Sequence, residues 1–151
     1  VYKNVVRCKN CGNLKSTKSD CICVTKKYDQ ICVVENIADM WVIENTGIYK
    51  GHYHILGGTL ASFEGKNNSN GLLIESLVSR VKKNSIKEVI LATSVSIEGE
   101  TTSHYISDSL KETKVKITKL AKGVPVGGEI EFLDDGTLYS AFKNRASVTS
   151  D

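Results

Sequence analysis

Apolar residues in this chain fall into short, strand-sized runs separated by stretches with helical spacing. Ile31-Cys32-Val33-Val34 is a β-type run that stops at Glu35, and Ile37, Met40, Trp41 and Ile43 then recur at helical intervals as far as Gly47. The unit repeats. His52 to Leu56 predicts a second strand closed by Gly57-Gly58, and an Asn- and Gly-rich loop, Gly65 to Gly71, leads into a helix carrying Leu72, Leu73, Leu77 and Val81. Val89-Ile90-Leu91-Ala92 predicts a buried strand, followed by a helix from about Glu98 to Lys111 with Thr101, Tyr105, Ile106 and Leu110 on one face. Lys114 to Leu120 alternates as a half-buried strand does, and Leu138 to Arg145 predicts a short last helix. Strands alternating with helices imply an α/β fold with a mainly parallel sheet covered on both faces.

The chain's 151 residues, 40% of them hydrophobic, suffice for one core of its own plus an appendage. No apolar run approaches the roughly 20 residues that span a bilayer, and the N-terminus lacks a secretory pattern, so a cytoplasmic protein without membrane contact is expected. The sequence begins without methionine and runs straight into a motif, which suggests a preceding segment that is absent here.

Charge separates the ends of the chain. Residues 1 to 30 hold seven basic residues against two acidic ones, whereas the remainder holds 13 against 15. The basic set sits around Cys8-x2-Cys11 and Cys21-x-Cys23. Four thiols within 16 residues of a cytosolic chain favour a metal over disulfides, and zinc is the expected ion because it supplies folding energy to a segment with almost no apolar core. Cys32, inside a strand, reads as a core residue.

A second group of chemistry-bearing residues is acidic. Glu35 closes the first long strand, Asp39 lies one helical turn later, and Glu98 and Glu100 open the helix after the central strand. If those strands are neighbours, all four carboxylates share one sheet edge, where ligands of open α/β sheets collect. Carboxylates also favour helix starts for dipole reasons alone. His52 and His54 share a strand face and read as packing residues, as do Tyr53, Tyr105 and Tyr139.

Six stretches resemble the RecR family of bacterial recombination mediators: Cys8-x2-Cys11-Gly-Asn-Leu, Ile31-Cys-Val-Val-Glu35, Gly51-x-Tyr53-His54-Ile-Leu-Gly57-Gly58, Glu88-Val-Ile-Leu-Ala92-Thr93, Glu98-Gly-Glu100-x-Thr102 and Ala121-x-Gly123-Val-Pro125-Val-Gly127-Gly128-Glu129. The resemblance implies a zinc-finger segment (residues 1–29), a Toprim domain (30–127) and a C-terminal oligomerisation segment (128–151). It implies a homo-oligomer, dimer or tetramer, that works with RecO- and RecF-type proteins in loading recombinase onto gapped DNA. The family's N-terminal helix-hairpin-helix region lies before the point where this chain starts. The sequence departs from the family pattern at the second cysteine pair: Asp20 stands where the third cysteine is expected, so Asp20 and Cys21 compete as zinc ligand beside Cys8, Cys11 and Cys23.

Toprim enzymes resemble this chain in placing a Glu after the first strand, here Glu35. Their Asp-x-Asp after a later strand is absent, and Ala92 is followed by Thr-Ser-Val-Ser-Ile. The expected role of Glu35, Asp39, Glu98 and Glu100 is therefore to recognise a basic partner surface or hold magnesium weakly, without catalysis. DNA is assigned to Arg7, Lys9, Lys15, Lys26 and Lys27. The competing readings are a metal-dependent Toprim nuclease or primase-like enzyme, and a truncated copy with little DNA affinity of its own.

Overall fold

The computed structural model describes residues 4–59 and 73–148. The loop expected over Gly65 to Gly71, together with Leu72, lies outside them. The chain divides into two compact units, Val1–Lys119 and Leu120–Asp151.

The first unit opens with a small antiparallel hairpin, β1 (Val5–Arg7) and β2 (Leu14–Ser16), followed by a single-turn helix α1 (Ile22–Thr25). The α/β body comprises β3 (Gln30–Val34), α2 (Ile37–Thr46), β4 (His52–Ile55), α3 (Ile74–Lys83), β5 (Glu88–Leu91), α4 (Ile97–Ser109) and β6 (Lys116–Lys119). Its four strands lie in the order β4-β3-β5-β6, and all three pairings are parallel. The α/β expectation is met.

Alternation along β3 explains why the sheet needs cover on both faces. Ile31 and Val33 join one core with Leu56, Leu77, Val89, Leu91 and Ile106, while Cys32 and Val34 join another with Met40 and Ile55. Both faces of β3 are buried, which is why its sequence reads as a continuous apolar run. Cys32 is a core residue, as expected.

Helix faces depart from the sequence reading in two places. Trp41 is 58% exposed, because α2 turns Met40, flanked by half-buried Ile37 and Ile43, toward the sheet. On α4 the buried positions are Gly99, Thr102, Ser103 and Ile106, whereas Thr101 and Tyr105 face outward. The Thr102 hydroxyl donates to the Glu98 carbonyl at 2.8 Å, so a polar residue is buried without an orphaned group. Side-chain caps set the helix starts: Asn36 Oδ1 accepts from the Asp39 N–H, and Ser96 Oγ from the Gly99 N–H.

The second unit holds a short 3₁₀ turn, Ile130–Phe132, and α5 (Asp135–Lys143). The helix starts three residues before the expected Leu138 because the Asp134 carboxylate accepts from the Thr137 N–H at 3.3 Å and caps it. None of its residues is buried, and Tyr139 and Phe142 are exposed, so the packing read for Tyr139 is not found among the described residues.

Candidate functional site

The cysteine segment is shaped by two local devices. Between β1 and β2 the Cys8 N–H donates to the Asn13 carbonyl at 2.7 Å and the Gly12 N–H to the Cys8 carbonyl at 2.8 Å, folding Cys8-x2-Cys11 into a knuckle. Gly12 adopts φ +83°, and a Cβ there would fall on the Ile55 carbonyl oxygen, so glycine is required twice over. Cys21 caps α1, and the single helical turn brings Cys23 inward beside it.

All four sulfurs, of Cys8, Cys11, Cys21 and Cys23, lie within 4.8 Å of one another, and all four residues are buried. Cys8 Sγ is 3.8 Å from Cys23 Sγ, and Cys11 Sγ is 3.5 Å from Cys21 Sγ. A tetrahedral zinc with Zn–S bonds of about 2.3 Å separates its sulfurs by about 3.8 Å. The donor set fits a thiophilic divalent ion. Burial opposes ionisation of Cys8, but N–H donors from Cys11 and Asn10 outweigh it and bring that thiol down to about 7. Burial pushes Cys11 and Cys23 up, so Cys8 gives up its proton more readily than either of them.

The knuckle is fastened to the sheet. The Ile55 N–H, at the end of β4, donates to the Cys11 carbonyl at 2.7 Å, and Arg7 donates through one guanidinium nitrogen to the Ile55 and Leu56 carbonyls at 3.1 and 2.7 Å. From the other side, the Ser76 hydroxyl on α3 donates to the Asn10 carbonyl at 2.5 Å, and the Asn10 amide donates to Cys23 Sγ at 3.4 Å.

The acidic edge lies where β3 and β5 end side by side. Glu35 Oε1 accepts from the Ser94 N–H at 2.9 Å and the Ser94 hydroxyl at 2.8 Å, and Ser94 Oγ lies 2.7 Å from Ser96 Oγ. Burial, and then the negative charge of Glu35, raise the Asp39 carboxyl above its ordinary range. Glu100 turns instead to Lys119 on β6, with an N–O distance of 2.6 Å, while Glu98 is exposed.

A Toprim-domain family model matches residues 29–121, and a RecR C-terminal model matches residues 123–146. Recombination protein RecR of Pelagibacter ubique is 59% identical over 98% of this chain and 73% of its own length. The chain belongs to the RecR family. RecR proteins of Neorickettsia sennetsu, at 45% identity over 98% of the chain and 76% of the relative, and Orientia tsutsugamushi (strain Ikeda), at 42% over 97% and 73%, fall in the same group.

Within this RecR-family frame Asp20 and Cys21 are placed differently. Cys21 joins the other three sulfurs, and exposed Asp20 does not belong to the cluster. The four carboxylates sit along one sheet edge but are not gathered around a point: among the described residues only the cysteines form a group of three or more metal-type ligands. Arg7, assigned to DNA in the sequence, has its guanidinium occupied largely by backbone carbonyls. Lys9, Lys26 and Lys27 are exposed, and Lys15 Nζ reaches the Ser19 carbonyl at 3.5 Å. Lys26 and Lys27 line a cavity of about 530 Å³ together with Lys83 of α3, which the sequence reading missed because it lies some 55 residues downstream in another element. No described helix is long and apolar enough to cross a membrane.

His52 and His54 pack as expected. His52 Nε2 accepts from the Tyr28 N–H at 3.2 Å. His54 lies deep beside Arg80, a residue the sequence analysis did not single out; the sole signal was a charge on the same helix face as Leu77 and Val81. The Tyr53 hydroxyl donates to Glu44 at 2.8 Å.

Proposed function

We propose that this RecR-family chain is a non-catalytic recombination and repair mediator that binds gapped DNA and RecO- and RecF-type proteins. The observation that carries the non-catalytic part is the environment of Glu35. Its carboxylate is engaged by Ser94, and Ser94-x-Ser96 stands where metal-dependent Toprim enzymes present their second acidic pair. Magnesium coordination by hydroxyls is weak, which leaves the edge suited to holding a cationic partner surface. Zinc at the cysteine centre has a structural role in this reading, fixing the basic residues beside it.

DNA binding is assigned to Lys9, Lys15, Lys26 and Lys27, to which the cavity adds Lys83. Each phosphate contact removed should lower the salt slope of log K by roughly 0.9. A chain carrying Lys26→Ala, Lys27→Ala and Lys83→Ala should therefore bind gapped DNA with a slope smaller by about 2–3. An unchanged slope sinks this assignment. In the same material, a RecO-type partner should be retained less by Glu98→Ala, Glu100→Ala protein than by wild type; equal retention removes the acidic edge. Nicking of plasmid in Mg²⁺ or Mn²⁺ would establish the nuclease alternative instead.

Self-association is assigned to the C-terminal unit. Ile130, Phe132, Tyr139 and Phe142 are each more than two-thirds exposed, and a helix that buries none of its residues gains little from its own chain. A second copy of the chain is the proposed cover, giving a dimer or tetramer. Light scattering should show Tyr139→Asp, Phe142→Asp protein as a monomer, and a mass equal to that of the wild-type assembly would refute the assignment.

A further inference from the structure

Arg80 occupies a position that chain patterning reserves for an apolar side chain. It lies on α3 with Ile74, Leu77 and Val81, and it is only 2% exposed. One terminal nitrogen donates to the Tyr53 carbonyl at 2.9 Å and to His54 Nδ1 at 3.0 Å. Its Nε and second terminal nitrogen are buried with no hydrogen-bond partner. A buried guanidinium without a counter-charge is strongly unfavourable.

None of the described ion pairs involves Arg80. The nearby ring groups, His52 and His54, are held neutral by burial and by Arg80 itself. The groups that favour its charge are Cys11, Cys23, Cys8 and Cys21, all within electrostatic reach. Arg80 and Cys23 line the same cavity together with Asn10 of the knuckle. One turn earlier on the helix, Ser76 holds the Asn10 carbonyl.

Free thiols offer Arg80 little. Four thiolates around one divalent ion carry a net negative charge of two units, so metal binding is the event that creates the missing counter-charge. We infer that Arg80 is the internal counter-charge of the four-thiolate centre, so that metal occupancy and the seating of α3 on the sheet stabilise one another. This rests on the reading of the cysteine cluster as a metal site.

The test compares wild type with Arg80→Lys, Arg80→Gln and Arg80→Met, each loaded with one equivalent of zinc. Competition with a chromophoric chelator should show zinc held about 10–100-fold less tightly by the Met and Gln chains, as expected for loss of a partner beyond the ligands, with the Lys chain closer to wild type. Stripping the metal should lower the melting temperature of wild type more than that of the Met chain, because only wild type then retains an uncompensated buried charge. Equal zinc affinities, or equal losses on stripping, overturn the inference. If the Met chain does not fold, the Lys and Gln chains decide, since both keep a donor for the Tyr53 carbonyl and only Lys keeps the charge. The two readings fail differently: no zinc in wild type removes the metal site, whereas one zinc per chain with indifferent Arg80 variants removes only the counter-charge.

Discussion

A Cys11→Ser chain is expected to fail to hold the zinc proposed for the cysteine centre and, with it, to lose the fold of residues 4–28. Serine is nearly isosteric but does not supply a thiolate, and three remaining sulfurs hold zinc far less tightly. The buried cluster of this segment consists of Cys8, Cys11, Cys21 and Cys23 themselves, so no apolar core remains to hold the chain once the ion leaves. Structural zinc contributes about 10–16 kcal/mol to zinc-finger peptides near neutral pH, against the 0.5–3 kcal/mol of an ordinary substitution. The damage should travel along the two fastenings described above, freeing the Ile55 N–H from Cys11 and Arg7 from the Ile55 and Leu56 carbonyls. Hydrogen exchange should show lost protection at Ile55 while Val33 and Leu91, in the centre of the sheet, stay protected. One zinc per Cys11→Ser chain together with a protected Ile55 amide would refute the expectation.

Acid should destabilise the first unit through His54. Its Nδ1 accepts from Arg80 and its Nε2 lies 3.0 Å from the Leu73 carbonyl, so the neutral tautomer with the proton on Nε2 uses both nitrogens. Burial, and then the Arg80 charge, bring its pKa down from 6.5 to about 3. Below about 6.5 the unfolded chain therefore binds a proton that the folded chain refuses until about 3. Stability is complete above the unfolded value and falls with pH through that window, by about 1.4 kcal/mol per pH unit from this residue. His54→Asn keeps an acceptor for Arg80 but does not titrate, so denaturant melts between about pH 6 and pH 4 should show a slope shallower by about 1.4 kcal/mol per unit. Parallel slopes for the two proteins would exclude His54 as the cause.

Much of the fold was legible because β3 is buried on both faces and β5 buries Val89 and Leu91 in the core with Ile90 half-buried on the other face, and such strands advertise themselves as unbroken apolar runs. The cysteine spacing was legible for a similar reason, since a knuckle imposes its own separation. Helix faces were less so. Trp41 and Tyr105 drew attention by hydrophobicity, yet α2 and α4 approach the sheet through Met40 and through the small residues Gly99, Thr102 and Ser103, whose value is close packing. A Cβ at Gly99 would fall on the Ser94 carbonyl oxygen, a constraint that hydropathy does not register. The Arg80 and His54 pair was hidden by the same logic. Burial of charge depends on partners that lie far away in sequence, here at Tyr53 and in the four cysteines.

At the far side of the sheet from β4, β6 is a four-residue strand with Lys116 and Lys119 at its two ends, both exposed. A short strand flanked by ammonium groups is a poor template for another chain's backbone. Joining a strand there would bring like charges of two copies together and remove Lys119 from Glu100. The outer margin of this sheet is thereby guarded against runaway aggregation, so the self-association proposed for the C-terminal unit could proceed without polymerisation along the strands.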